Sequence, residues 1–185
     1  MNRVPGRTGL TPAPGERTSG RDETRRALRR FASGVTVLTV SDGTVRHGTT
    51  VSALVAISRE PLVLGVCLRS PSTFTALARK AGVFSVNVLS SQQALLARKF
   101  GSSERHGEDQ FAGVEWTVDP DTGAPLIAGS LARLACNLTS CQLIGDHHLL
   151  TAEVLSGEAS DGVPLLTFAG GLRDEGLADL STTSM

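Results

Sequence analysis

Residues 47–73 read HGTTVSALVAISREPLVLGVCLRSPST, and this stretch decides the fold. It begins with small and β-branched residues, Gly48 to Ala53, which leave the backbone open to approach from one side. The apolar run Leu62 to Val66 predicts a buried strand. The stretch ends on Ser70-Pro71-Ser72-Thr73, where hydroxyl groups mark a predicted helix start. Hydroxyls, backbone N–H groups and a helix N-terminus suit a planar ligand that carries a phosphate, although Ser70 could equally be a plain helix cap.

Short apolar runs separated by turn residues surround this stretch on both sides. They predict strands over residues 35–40, 83–89, 114–118, 131–143, 148–155 and 165–168, and helices over residues 71–81 and 90–100. Many short strands and few helices predict a mainly β protein, a β-barrel with Greek-key connections rather than a parallel sheet.

A further helix is predicted near the N-terminus, with Asp22 as its N-cap and Gly34 as its end. Leu28 and Phe31 fall on one face of this helix, together with Ala32. The segment carries five arginines, which fit the solvated face of an amphipathic helix better than a nucleic-acid-binding stripe: Arg21, Arg25, Arg26, Arg29 and Arg30.

Composition predicts one domain in a reducing compartment. The chain has 185 residues, 40% of them hydrophobic, which is enough for a sizeable core. Its formal net charge of zero favours neither a nucleic acid nor a membrane as partner. Three cysteines without a secretory signal predict a cytoplasmic protein with reduced thiols. We expect a disordered lead-in over residues 1–20, a domain over residues 21–173 and a flexible tail over residues 174–185.

Three classes of site receive little support from the residues. The chain lacks the Gly-x-Gly-x-x-Gly loop with which a Rossmann domain holds a nicotinamide coenzyme, and it lacks the Gly-x-Ser-x-Gly elbow of an acyl-transfer enzyme. Cys136 and Cys141 are five residues apart, which predicts opposite faces of a regular strand, and with His147 and His148 they miss the usual zinc spacings. No metal is therefore expected, and Cys67 is predicted to be a small buried hydrophobe.

Several short motifs, taken in order, carry a resemblance to a known family. They are Gly48-x-Thr50-Val51-Ser52-Ala53, then Ser58 with Pro61-Leu62-Val63, then Ser72-Thr73, Phe84 to Leu89, Leu96 to Phe100, and Gly145-Asp146-His147. This order resembles the flavin reductase family of FMN-binding split barrels, over about residues 24–172. The resemblance implies a split β-barrel that forms a homodimer.

The resemblance also implies a set of site residues. The flavin would lie against the segment from Thr49 to Ala53 and near Ser58, residues that include Thr50, Val51 and Ser52. Its phosphate would meet Ser70, Ser72 and Thr73 at the helix start, with Lys99 as an added cation and Asn87 as a further amide. His147 would lie beside the nicotinamide, whereas His148 would point to the other face of an extended segment.

The implied activity is hydride transfer from NADH or NADPH to FMN or FAD, with the reduced flavin passed to a partner monooxygenase. A different class, a tight FMN-binding electron carrier without turnover of free flavin, stays open as the alternative. Three positions depart from the family pattern: Glu60 replaces a frequent proline, Leu172 a frequent tyrosine, and Ala152 a frequent glycine. The resemblance implies that Leu172 and Ala152 would lie on the side of the site where the nicotinamide binds. The residues leave open which flavin, which coenzyme and which monooxygenase are used.

Overall fold

The computed structural model describes residues 14–102 and 110–173. In these ranges lie the helices α1 (Pro14–Leu28), α2 (Thr73–Ala81) and α3 (Ala94–Gly101), the last preceded by a 3₁₀ turn over Ser91–Gln93. The strands are β1 (Ser33–Gly34), β2 (Thr36–Ser41), β3 (Arg46–Val51), β4 (Leu54–Arg59), β5 (Leu62–Arg69), β6 (Val83–Val88), β7 (Trp116–Val118), β8 (Pro125–Ile127), β9 (Ala132–Ile144), β10 (His147–Ala159), β11 (Leu166–Phe168) and β12 (Gly171–Arg173).

Most strands belong to one antiparallel sheet of seven, in the order β3-β2-β6-β9-β10-β5-β4. Two small sheets accompany it, one of β1, β11 and β12 and one of β7 and β8. The prediction of a mainly β protein with few helices is confirmed. None of the described helices is long and apolar enough to cross a bilayer.

The strand β2 is buried on both faces, which explains its unbroken run of β-branched and apolar residues. On one face Leu38 and Val40 pack in a cluster with Phe74 of α2. On the other face Val37 packs in a second cluster with Phe100 of α3. The two helices therefore cover opposite sides of the same part of the sheet.

The helix α2 follows its sequence signals closely. The Ser72 hydroxyl accepts a hydrogen bond from the Thr75 N–H at 3.2 Å and caps the helix. Gly82 ends the helix in the left-handed conformation, with φ of 75°, a conformation that glycine adopts at little cost. The helix begins two residues later than predicted, with its cap at Ser72, so Pro71 precedes the helix instead of opening it.

The prediction for the first helix is wrong in its bounds and its packing. It begins at Pro14 and ends at Leu28, so Asp22 lies inside the helix and is not its N-cap. Leu28 and Phe31 are 72% and 82% exposed, so the apolar face of this segment is not covered by the core. Residues 1–13 and 174–185 are outside the described part of the chain, where the predicted lead-in and tail stay predictions.

The prediction that Cys136 and Cys141 face opposite ways is also wrong. The register of β9 against β10 shifts between Leu138, which pairs with Ala152, and Ser140, which pairs with Thr151. One extra residue in β9 reverses the alternation of side chains beyond it. Both cysteines therefore pack on the cluster that contains Phe74 and Phe84.

Candidate functional site

A cleft of about 470 Å³ lies between β3 and the start of α2. We call it the α2 cleft, and its lining comes from three segments of the chain: His47 with Thr49, Thr50 and Val51; Leu68 with Arg69; and Pro71, Ser72 and Thr73, with Gly101 at one side. The predicted ligand-binding residues Thr49 to Val51 and Ser72 to Thr73 are thus brought together, although they are some twenty residues apart in the sequence.

The electrostatics of the α2 cleft favour an anion. The N-terminus of α2 opens into it, and no acidic residue lies in the first turn of that helix. Arg69 adds a full positive charge, and none of the described residues that line the cleft is acidic. A helix N-terminus together with an arginine and hydroxyl groups is a typical arrangement for a phosphate.

One wall of the α2 cleft is fixed from behind by α3. The Thr50 hydroxyl donates to the carbonyl oxygen of Ala97 at 2.8 Å, so its proton is already committed. Thr49 and Val51 are each only 8% exposed. This wall therefore offers chiefly backbone groups and a hydroxyl oxygen that can still accept a bond.

A second cleft of about 440 Å³ adjoins the first at the connection between β3 and β4. We call it the α1 cleft, and most of its lining is apolar: Leu28, Phe31, Leu54, Val55, Cys67 and Phe168, together with Arg29, Ser33, Thr167 and the backbone of Ser52 and Ala53. The chain passes from Val51 in one cleft to Ser52 in the other. A polar cleft and an apolar cleft therefore share one strand connection.

His147 lies on β10, next to the part of β5 that contributes Arg69 to the α2 cleft. It pairs with Arg69 across the ladder of β10 and β5, so the two side chains share a face. The turn before it is held in place because the Ser70 N–H donates to the carbonyl oxygen of Asp146 at 2.9 Å. His148 pairs with Leu68 of the core and points the other way, as predicted.

The His147 ring is oriented by its neighbour. Its Nδ1 lies 2.7 Å from the Oδ1 of Asp146, and both side chains are exposed. Hydrogen bonding and charge from His147 lower the pKa of the Asp146 carboxyl, with a smaller contribution from Arg69. Asp146 therefore stays ionised and holds the ring with the Nε2 edge directed away from it.

Besides His147, four predicted site residues lie outside the lining of both clefts. Asn87 is fully buried, and its amide donates to Val37 and Thr39 and accepts from the Ile127 N–H, so it joins strands in the core. The Lys99 ammonium donates to the carbonyl oxygen of Ala112, on the outer side of α3. Ser58 pairs with Val63 near the far end of β4, and Ser70 contributes the backbone bond to Asp146.

Sequence reasoning missed several residues that line the clefts. Arg69 takes the place expected of Lys99, as the charged group nearest the helix start. A basic residue at the end of a strand, directly before Ser70-Pro71-Ser72, was the signal for it. Phe31 and Phe168 could not be foreseen, because a local sequence pattern does not show that the two termini of the domain meet.

The cysteines form no reactive centre in the described residues. Burial raises the pKa of the Cys136 thiol to about 12, so this group stays protonated. Cys67 is half-buried and lines the α1 cleft, which corrects the prediction that it is an ordinary core residue.

Within residues 14–102 and 110–173, no three His, Cys, Asp or Glu side chains lie together as a metal site would require.

An anion cleft beside an apolar cleft, in a mainly β protein, suits a planar ligand that carries a phosphate. The model of the flavin reductase like domain family matches residues 28–176, and the chain belongs to that family. Among curated relatives, an NADPH-flavin oxidoreductase of Streptomyces viridifaciens is 44% identical over 154 residues, which are 82% of this chain and 79% of that protein.

Another relative and two solved structures agree with this assignment. The reductase subunit HsaB of a flavin-dependent monooxygenase from Rhodococcus jostii is 36% identical over 79% of this chain and 73% of its own. The NADH:FAD oxidoreductase SgcE6 of Streptomyces globisporus, solved with NAD and FAD fragments, superposes with a TM-score of 0.80 at 29% identity, covering 88% of this chain and 96% of its own. BorF, the flavin reductase component of a bacterial tryptophan halogenase, superposes with a TM-score of 0.77 at 30% identity, covering 83% and 96%.

Proposed function

We propose that the protein is an NAD(P)H-dependent flavin reductase that transfers hydride to FMN or FAD and supplies reduced flavin to a partner monooxygenase. The single observation that carries the proposal is the pair of adjoining clefts, one fit for a phosphate and the other for a planar ring. Relatives named as NAD(P)H-flavin oxidoreductases and as reductase components of monooxygenases support it.

The flavin phosphate would bind in the α2 cleft. The N–H groups at the start of α2, the hydroxyls of Ser72 and Thr73 and the guanidinium of Arg69 offer donors from three sides. Arg69 and Thr73 are exposed, so the phosphate would stay in contact with solvent on one side. Such an arrangement supports a flavin that exchanges, as a diffusible substrate must.

The flavin ring would follow the chain from Val51 to Ala53 into the α1 cleft, where it would pack against apolar side chains. With both substrates bound, hydride would pass from NAD(P)H to the flavin, a proton from solvent would complete the reduced flavin, and NAD(P)⁺ would remain. This chemistry needs no acid or base from the protein. The chain would contribute binding, orientation and exclusion of water.

His147 would orient the nicotinamide. Its fixed ring supports this role, and so does its place on the face of β5 and β10 that also carries Cys67 of the α1 cleft, where the flavin ring would lie. Because Asp146 holds Nδ1, the ring would meet the coenzyme with its Nε2 edge.

A homodimer is proposed because apolar side chains lie exposed on the outer face of the sheet. Val55, Ile57 and Ile144 are 56%, 52% and 57% exposed, and Leu62, Leu143 and Leu155 are exposed as well. A second copy packed on β4 and β10 would cover this surface and the open side of the α1 cleft. Sedimentation of the native protein would show a dimer, and Ile57→Lys would shift it to monomer.

A cytoplasmic location is proposed from the coenzyme and from the state of the cysteines. The reaction consumes NAD(P)H, and the three cysteines, Cys67, Cys136 and Cys141, are all free thiols. We propose that the partner is a flavin-dependent monooxygenase that receives reduced flavin by diffusion.

Steady-state kinetics distinguish the flavin reductase from the alternative function, an electron carrier. An enzyme oxidises NAD(P)H at a rate that rises with added free flavin and saturates, and dialysis removes its flavin. A carrier stays yellow through dialysis and shows no such dependence. The second result would overturn the proposed turnover of free flavin.

A further inference from the structure

The strand β3, which forms one wall of the α2 cleft, lies at the end of the seven-stranded sheet. At Gly48, the free edge of β3 bonds to a side chain instead of to a further strand. The Gly48 N–H donates to the Gln110 Oε1 at 2.8 Å, and the Gln110 Nε2 donates to the Gly48 carbonyl oxygen at 2.9 Å. Gln110 is 5% exposed, so both hydrogen bonds are shielded from water.

The same glycine is also fixed across its face. A Cβ at Gly48 would lie 2.6 Å from two ring carbons of Phe100 and 3.4 Å from Phe111, so only glycine fits without a shift. Phe100 and Phe111 pack on each other with ring centroids 5.2 Å apart. Gln110 therefore bonds the edge of β3 while its neighbour in sequence, Phe111, packs against the face.

The position of Gly48 determines where the wall of the α2 cleft stands. In an antiparallel ladder, the peptide groups of every second residue point to the same edge. Since those of Gly48 point away from β2 to Gln110, those of Thr50 point the same way, between the cleft residues Thr49 and Val51. A shift at Gly48 would move these groups together.

We infer that Gln110 is a positioning residue for the flavin. Its amide makes the two backbone hydrogen bonds that a neighbouring strand would make, and so holds β3 in the register that flavin binding needs. This inference rests on the proposed function, since it takes the flavin as the ligand of the α2 cleft. Gln110 touches no substrate in this assignment and acts only through Gly48.

The chain offers a matched control in Gln93. This glutamine is 8% exposed, accepts from the Ser90 N–H at 3.0 Å and donates to the Ala128 carbonyl oxygen at 2.8 Å. It thus has the same burial and the same two kinds of bond as Gln110, but it lies outside the lining of the α2 cleft. Gln93→Ala and Gln110→Ala should lower the melting temperature by similar amounts.

The first test compares FMN and FAD affinity by fluorescence titration of the full-length protein. Gln110→Ala should raise the flavin Kd at least tenfold, whereas Gln93→Ala should leave it within twofold of wild type. Hydrogen exchange of the ligand-free proteins should show lost protection at the Thr49 and Val51 amides in Gln110→Ala alone. Equal Kd values in the two variants would overturn the inference. A wild type that binds neither flavin would instead refute the proposed function, and the exchange experiment would still judge the role of Gln110.

A conservative variant extends the test and covers a failure of Gln110→Ala to fold. Gln110→Glu keeps the length of the side chain and the acceptor for the Gly48 N–H. Its carboxyl group can donate to the Gly48 carbonyl oxygen only when it is protonated, and burial raises the pKa of a carboxyl group. Its Kd relative to wild type at the same pH should therefore fall as the pH is lowered from mildly alkaline to mildly acidic. A ratio that does not change with pH would contradict the proposed bond.

Discussion

The Ser72 hydroxyl has two roles in this account, and they can be measured separately. It caps α2 by accepting from the Thr75 N–H, and it is a proposed donor to the flavin phosphate. Ser72→Ala removes both. A lost N-cap costs about 1 kcal/mol when alanine replaces serine, but only a few tenths when glycine does. Ser72→Gly therefore isolates the effect on the ligand, and Thr73→Ala removes a second hydroxyl that has no capping role.

The expected losses of FMN affinity and of stability follow from these contacts. A hydrogen bond to a charged group contributes roughly 1.5–3 kcal/mol, and 1.4 kcal/mol is a factor of ten in affinity. Ser72→Gly and Thr73→Ala should each weaken FMN binding by roughly ten- to a hundredfold. Ser72→Ala should weaken binding as much and also lower the melting temperature, by about 2–4 °C for each kcal/mol in a chain of this size.

Riboflavin supplies the matched ligand, because it has the same ring and lacks the phosphate. Fluorescence titration should show that both substitutions weaken FMN and leave riboflavin unchanged. Equal loss for the two ligands would mean that the variants disturb the ring site or the fold. No loss for either would mean that the phosphate binds elsewhere, and the assignment of the α2 cleft would be refuted.

Three further predictions follow from the structure. His147→Ala should raise the apparent KM for NAD(P)H or slow flavin reduction while the flavin Kd stays near wild type, and His148→Ala should do less; equal effects in stopped-flow reduction would return His147 to a simple turn residue. A protein that begins at Arg21 should keep its melting temperature and reductase rate, because the helix α1, which this truncation shortens, is exposed over residues 20–28; a large loss in either would show that the removed segment packs on the domain or on a second copy. The Lys80 ammonium beside Asp42 holds the pKa of that carboxyl well below its usual value of 3.8. Its stabilisation is therefore present above pH 3.8 and is lost as the pH falls through the lowered pKa, so Asp42→Asn should lower the melting temperature at neutral pH and lose this difference in strong acid.

The strands and α2 could be predicted because their signals are local. The β-branched run of β2 is buried on both faces, and Ser72 and Gly82 carry the capping chemistry of a helix. The residues of the α2 cleft were also foreseen in large part. Thr49, Thr50 and Val51 stand in one motif, and Ser72 and Thr73 in the next, and the sheet brings the two motifs together.

The features that the sequence did not show have non-local causes. An asparagine in a strand has the same appearance whether it faces a ligand or, as Asn87 does, bonds three strand residues in the core. One extra residue in β9 placed Cys136 and Cys141 on one face. Gln110 could not be recognised at all, because its partner Gly48 is 62 residues away in the sequence.

Hydride transfer is the central claim, and single-turnover reduction without oxygen tests it most directly. Protein with bound FMN or FAD is mixed with NADH or NADPH, and with the same coenzymes deuterated at the transferred position. The account predicts that the visible flavin absorption bleaches, that one coenzyme is consumed per flavin, and that deuterium slows the bleaching. Flavin that stays oxidised with both coenzymes, while still bound to the protein, would contradict it.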